Sequence, residues 1–165
     1  MRTKEKIEIK KYKTFPSMEW GENGGCCCDI YIGSKKVAEY FNEGNGGTPN
    51  IRTFGMTHID LQDLCYEVNE RLGLNEPLYG HDINYSCAIE CLIDYLAEMK
   101  DLEKWYKKEV KKGKSFVLFG RAFGSYKWVS CGIDKYKEMK KVLDNSKENF
   151  KRYHYITSLD YFNNL

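Results

Sequence analysis

The stretch Cys26-Cys-Cys-Asp-Ile-Tyr-Ile-Gly-Ser-Lys-Lys-Val-Ala-Glu-Tyr-Phe-Asn-Glu-Gly-Asn-Gly-Gly47 decides the first part of the fold. Two alternating runs flank Gly33-Ser34, a pair suited to a two-residue hairpin turn with positive φ at glycine. Closing the chain there predicts Ile32 opposite Lys35, Ile30 opposite Val37, Cys28 opposite Glu39 and Cys26 opposite Phe41. One face then collects Cys26, Cys28, Ile30, Ile32, Val37 and Phe41 as core. The other carries Cys27, Asp29, Tyr31, Lys36, Ala38 and Tyr40, with two tyrosines available to a partner. Slipping by one residue would exchange the faces, so the apolar pattern specifies the register.

Working outward, residues 5–14 alternate as a strand through Ile7, Ile9 and Tyr12. The segment from Pro16 to Gly25, with Trp20, is expected to be a loop. Glu43 to Asn50 is a glycine-rich loop, and Ile51 to Phe54 is a short strand. Leu61, Leu64, Cys65, Val68 and Leu72 recur at helical spacing from Thr57 to a stop at Gly73. Ser86 is a candidate cap for a second helix through Ala88, Ile89, Leu92, Tyr95, Leu96, Met99 and Leu102, continuing toward Gly113. Phe116 to Phe119 and Tyr126 to Cys131 pattern as strands joined across Gly120 to Gly124. Asp134 is placed to cap a lysine-rich helix to about Leu143. Tyr153 to Thr157 patterns as a last strand, and Thr157-Ser-Leu-Asp160 as the capping box of a final short helix.

This order predicts an α+β fold: an N-terminal antiparallel hairpin sheet, central helices and a C-terminal ββαβ unit. A chain of 165 residues is the size of one domain, here with sub-modules 1–56, 57–113 and 114–165. Hydrophobic residues make up 42% and aromatic residues 15%, which argues against disorder. The N-terminus leads into a strand rather than an apolar leader, and no stretch approaches the ~20 apolar residues of a membrane span. With an odd count of seven cysteines, the expectation is reduced thiols in a cytoplasm.

The net charge of +2 conceals a segregation: residues 1–14 carry +4, 15–99 carry −10, 100–152 carry +9 and the last thirteen −1. Lys104, Lys107, Lys108 and Lys111 fall on one helical face with Trp105 and Tyr106 interleaved; Lys112, Lys114 and Arg121 follow. Such a stripe suits phosphate backbones or an acidic protein surface. It also suits a solvated face that binds nothing. Arginine is scarce, so the stripe does not suit base reading. A second candidate surface is Tyr31, Tyr40, Glu43 and Asn45.

No catalytic set emerges from spacing. Glu43-Gly-Asn-Gly-Gly47 lacks the strand-loop-helix context of a phosphate loop. Cys26, Cys27 and Cys28 alternate along a strand and cannot converge on one metal. Cys87 and Cys91 share a helix face, with Cys65 and His81 as the further candidates, yet no Cys-x-x-Cys occurs, so neither metal nor cofactor is expected. His58, His81 and His154 each stand alone.

The run Gly33, Lys35, Lys36, Val37, followed by Asn42-Glu-Gly-Asn-Gly-Gly47, resembles the opening module of small proteins encoded by phages and other mobile elements. The likeness covers about the first third of the chain, with a weaker echo in the C-terminal strand-helix-strand pattern. It implies a setting and no particular chemistry. Two functions from different classes follow. One is a non-enzymatic interaction protein that inhibits a host nucleic-acid-targeting defence factor in the manner of an anti-CRISPR, in the cytoplasm of a bacterial host. Its partner would be a host protein or ribonucleoprotein complex, or nucleic acid, and no membrane. The other is an enzyme acting on a nucleotide or nucleic acid, with a site assembled only in the fold.

Overall fold

The computed structural model describes residues 6–17, 21–74, 85–112, 116–122, 125–131, 152–156 and 158–163, with Lys135, Glu138 and Lys141 between them. It is α+β and divides into two compact units, Met1–Ala97 and Glu98–Leu165, with the boundary inside a helix. This division differs from the three sub-modules expected from the sequence.

The first unit holds a four-stranded antiparallel meander of β1 (Ile7–Ser17), β2 (Gly21–Ile32), β3 (Lys35–Asn42) and β4 (Asn50–Thr53), in that spatial order. The Gly33-Ser34 turn forms where the sequence places it, with φ +58 at Gly33. The register is another matter. Ile32 does face Lys35, but Ile30 pairs with Ala38, Cys28 with Tyr40 and Cys26 with Asn42. The irregularity lies between Ile30 and Tyr31, where β3 spends one extra residue, Val37. A bulge of this kind reverses the in–out alternation of everything beyond it. Ala38 and Tyr40 therefore enter the core at 0% and 3% exposure, while Phe41 turns out at 43%. The expected faces of Ala38, Tyr40 and Phe41 are thus exchanged. Val37 itself stays buried.

A second bulge sits in β1. Lys10 pairs with Asp29 and Lys13 with Cys27, so β1 gains a residue there. Lys11 takes it up with φ +54, the only positive value at a non-glycine among the described residues. Ile7 and Ile9 point inward before the bulge, while Lys13 and Phe15 face out with Cys27 and Gly25 after it. Within the expected loop from Pro16 to Gly25, Pro16–Ser17 and Gly21–Gly25 are strand, with Phe15 paired to Gly25 and Ser17 to Gly21, while Trp20 lies outside the described residues. Pro16 is tolerated because β1 is an edge strand and the ladder is irregular between Phe15 and Ser17.

Helix α1 (His58–Arg71) begins with a reciprocal capping box. The Asp60 amide donates to Thr57 Oγ1 at 3.1 Å, and the Thr57 amide donates to Asp60 Oδ2 at 3.1 Å. It ends at Gly73, where φ is +63. A 3-10 turn, Tyr85–Cys87, leads into α2 (Ala88–Lys111), so Ser86 lies within that turn. Asn69 Nδ2, fully buried, donates to the Ala88 carbonyl at 2.8 Å and ties α1 to the start of α2. Leu61, Cys65, Ile89, Leu92 and Ile93 are each 2% exposed or less. Burying a large aliphatic side chain this fully is worth roughly 1.5–3 kcal/mol.

The second unit holds the rest of α2 and a three-stranded antiparallel sheet in the order β6-β5-β7, from β5 (Phe116–Ala122), β6 (Ser125–Cys131) and β7 (Arg152–Ile156). It also holds a short α3 (Asp160–Asn163), whose Phe162 packs 6.0 Å from Tyr106. The helix expected from Asp134 to about Leu143 lies largely outside the described residues. No described helix is long and apolar enough to cross a membrane.

The glycine loop has a steric role. A Cβ on Gly44 would lie 2.1 Å from the Gly24 carbonyl oxygen, and its φ is +69. Gly73 has a similar φ of +63 with open space around it. A left-handed L-residue costs roughly 1–2 kcal/mol. Gly73→Ala is expected to lose about that much. Gly44→Ala should lose about 3 kcal/mol or more in denaturant unfolding, because overpacking adds to the backbone strain. Equal losses would contradict the close approach.

Candidate functional site

The meander has two chemically different faces. On the inner face Tyr12, Cys26, Cys28 and Tyr40 meet Glu90 and Asp94, two carboxylates four residues apart on α2. The Tyr12 hydroxyl donates to the Cys26 sulfur. Glu90 lies beside Cys87 and Tyr40, whose donors pull its carboxyl down. Asn42 Nδ2 donates to the Tyr40 oxygen at 3.2 Å. Burial dominates the electrostatics here. It pushes the Cys26 thiol up to about 11, with Asp94 adding to the effect. It raises both tyrosines above the ordinary phenol range, and it raises Glu90 against the pull of its two donors. Cys65, deeper still, is pushed up to about 12 by burial alone. Every one of these shifts favours the neutral form. A nucleophilic cysteine needs the reverse, a thiolate stabilised near neutrality.

The outer face is charged and aromatic. Asp29, only 7% exposed, receives Lys36 at 2.8 Å and Lys11 at 2.9 Å, and Lys36 also holds Glu39 at 2.6 Å. Hydrogen bonds from Lys36 and then Lys11 hold the Asp29 carboxyl below the usual carboxylate range. Lys6 lies 3.9 Å from Glu8. Lys10 sits 4.2 Å over the Tyr31 ring, and Arg52 5.3 Å over Phe54. Phe15 stacks on Phe41 at 5.3 Å with 20° between the planes. The Phe15 ring lies directly on Gly25, where a Cβ would come within 2.2 Å of it.

The residues expected to form a second surface therefore separate. Tyr31 is on the outer face. Tyr40 is in the core, because the Val37 bulge turns it inward. Glu43 and Asn45 are exposed but engaged within their loop: Asn45 Nδ2 donates to Glu43 Oε2 at 2.8 Å, and the Gly47 amide donates to Asn45 Oδ1 at 3.0 Å.

On α2, Lys104, Lys107, Lys108, Lys111 and Lys112 are all exposed. Three are tied to acids one turn back: Lys104 to Asp101 at 3.1 Å, Lys107 to Glu103 at 2.6 Å and Lys112 to Glu109 at 2.8 Å. Exposed pairs of this kind add little stability, but they dilute the positive field. Trp105 is half-buried and Tyr106 is 4% exposed, packed near Phe162, so Tyr106 is a core residue and not part of a stripe surface. Lys114 lies outside the described residues. Arg121 pairs with Tyr126 and Arg152 in the second sheet.

His58 is the exposed first residue of α1, His154 lies in β7, and His81 is outside the described residues. Six described cysteines carry free thiols. Among the described residues, no group of three or more His, Cys, Asp or Glu side chains is placed to hold a metal. No family model, no curated protein and no solved structure matches this chain.

The two faces predict opposite pH responses. The Asp29 carboxyl is lower in the folded chain than the ordinary value near 4. Its stabilising effect is therefore full above that value and lost as pH falls through the folded one. Asp29→Asn should lower the melting temperature by roughly 2–4 °C at neutral pH. The gap should close under acid conditions. Glu90 is raised, so it costs stability as pH climbs through and above about 4.3. Glu90→Gln should raise the melting temperature at neutral pH and change nothing at pH 4 or below. Melting curves from pH 3 to 8 check both; a destabilised Glu90→Gln at neutral pH would contradict the assignment.

Proposed function

We propose that this chain is a non-enzymatic interaction protein of phage or mobile-element origin that inhibits a host nucleic-acid-targeting defence factor, in the manner of an anti-CRISPR. It would act in the cytoplasm of a bacterial host, on a protein or ribonucleoprotein. On this reading the C-terminal region is a ββαβ unit, with 134–143 as its helix. The setting rests on the resemblance carried by Gly33, Lys35, Lys36, Val37 and Asn42–Gly47.

The observation that carries the binding role is the outer face of the first sheet, where exposed cations and aromatic rings lie side by side. The enzyme reading is less well supported. In the buried cluster around Cys26 and Glu90, burial raises both groups, and the Cys26 thiol is pushed up to about 11, away from the activated range.

The test is a plasmid-interference assay in bacterial strains that each carry one nucleic-acid-targeting immune system. Expression of the chain should restore transformation by a targeted plasmid to near the untargeted level in at least one strain. Transformation that stays at the immune level in every strain would overturn the inhibitor reading.

A further inference from the structure

We propose that the outer face of the β1–β4 sheet is a binding site for single-stranded nucleic acid, with Phe41 and Phe15 as the stacking platform and Lys10, Lys13 and Arg52 as the phosphate contacts. This deepens the interaction reading above and rests on it for its biological setting, though not for its chemistry.

Charge on the outer face is already sorted. Among the described residues its acids are met by lysine: Glu8 by Lys6, Asp29 by Lys11 and Lys36, and Glu39 by Lys36. Lys10, Lys13 and Arg52 are exposed and form no ion pair among the described residues, although Lys10 stands opposite Asp29 and Arg52 opposite Glu39 in the ladder. Two of them sit over aromatic rings, Lys10 on Tyr31 and Arg52 on Phe54. A cation held against a ring keeps its outward hydrogen-bond donors free for a phosphate oxygen.

The aromatic geometry points to bases rather than to an acidic protein. Phe41, on the inner strand β3, is 43% exposed while one side of its ring rests against Phe15. Its ring is nearly parallel to that of Phe15, which is supported from below by the bare backbone of Gly25. Such a platform offers a flat π-face, and base stacking on aromatic rings is tolerant of sequence. Lys13, Cys27 and Phe41 stand in one row across β1, β2 and β3, so a cation and the platform are two strands apart, about 10 Å. A nucleotide chain crossing the strands would set a phosphate at Lys13 and a base at Phe41. Duplexes keep their bases stacked inside and cannot use the rings. Strands of DNA and RNA share the chemistry that this face recognises.

Fluorescence anisotropy on the full chain tests the proposal with four labelled probes. These are oligo(dT) and oligo(U) of about 20 nucleotides, long enough for one small domain, a mixed duplex of the same length, and a polyglutamate peptide. The single strands should bind, the relative affinity for dT and U telling DNA from RNA, while duplex and polyglutamate bind at least about tenfold more weakly. Phe41→Ala should weaken strand binding about tenfold. Lys13→Gln with Arg52→Gln should reduce the slope of log K against log salt by about 1.4, roughly 0.7 for each lost contact. All three substitutions are at exposed positions, and a cooperative melting transition well above the assay temperature confirms that each variant folds.

Absence of strand binding at low salt overturns the proposal. So does undiminished binding by the Phe41→Ala chain, or equal affinity for polyglutamate, which would indicate an acidic protein partner. Plasmid interference separates the two readings. If wild-type chain blocks immunity and the triple variant blocks it equally, the surface is misassigned while the inhibitor reading stands. If the strands bind as expected and no immune system is blocked, the inhibitor reading falls and the binding site stands.

Discussion

The first unit depends on two extra residues, Lys11 in β1 and Val37 in β3. A pleated strand presents successive side chains to opposite sides, so a single inserted residue changes what every later one faces. Lys11 does this at the cost of a left-handed backbone, and its side chain turns to the Asp29 carboxylate. Without these insertions, Phe15 would point into the core and Tyr40 out of it. The bulges therefore create both faces: an inner one of thiols, tyrosines and aliphatics, and an outer one of cations and rings.

The chemistry of each face follows from its distance to water. Inside, burial shifts Cys26, Tyr12, Tyr40 and Glu90 toward their neutral forms. Such a cluster specifies packing more readily than it performs catalysis. Outside, lysines hold the carboxylates of Asp29 and Glu39 in ion pairs, while Lys10, Lys13 and Arg52 form no ion pair among the described residues. The basic stripe of α2 looked stronger in the sequence. In the fold it is partly cancelled by Asp101, Glu103 and Glu109, and it loses Tyr106 to the core.

Local signals in the sequence were legible where the physics is local. Thr57 and Gly73 marked α1 because a cap and a positive φ involve only neighbouring residues. The Gly33-Ser34 turn was legible for the same reason. The face assignment of Tyr40 and Phe41 was not, because a bulge at Val37 leaves no mark in composition: Val, Ala, Tyr and Phe all suit a strand. The strand content of Pro16–Ser17 and Gly21–Gly25 was hidden by a proline, which the edge strand β1 tolerates, and by the glycines of β2. One signal could have exposed the outer site. Phe15, read with a bulge at Lys11-Tyr12, comes onto the face of Phe41, opposite Gly25 and one outward row from Cys27. The Glu90–Tyr40 link joins elements far apart in sequence and had no local signature.

Three consecutive cysteines provide a built-in reporter of these faces. Cys27 lies on the outer face in the row of Lys13 and Phe41, Cys28 is buried at 5% exposure, and Cys26 accepts the Tyr12 hydroxyl inside. Time-resolved alkylation of the native chain, read at each cysteine by peptide mass spectrometry, tests the arrangement most directly. Cys27 should be labelled first and Cys28 last. Labelling of Cys26 or Cys28 ahead of Cys27 would show that the faces are reversed, and the account built on the two bulges would fail.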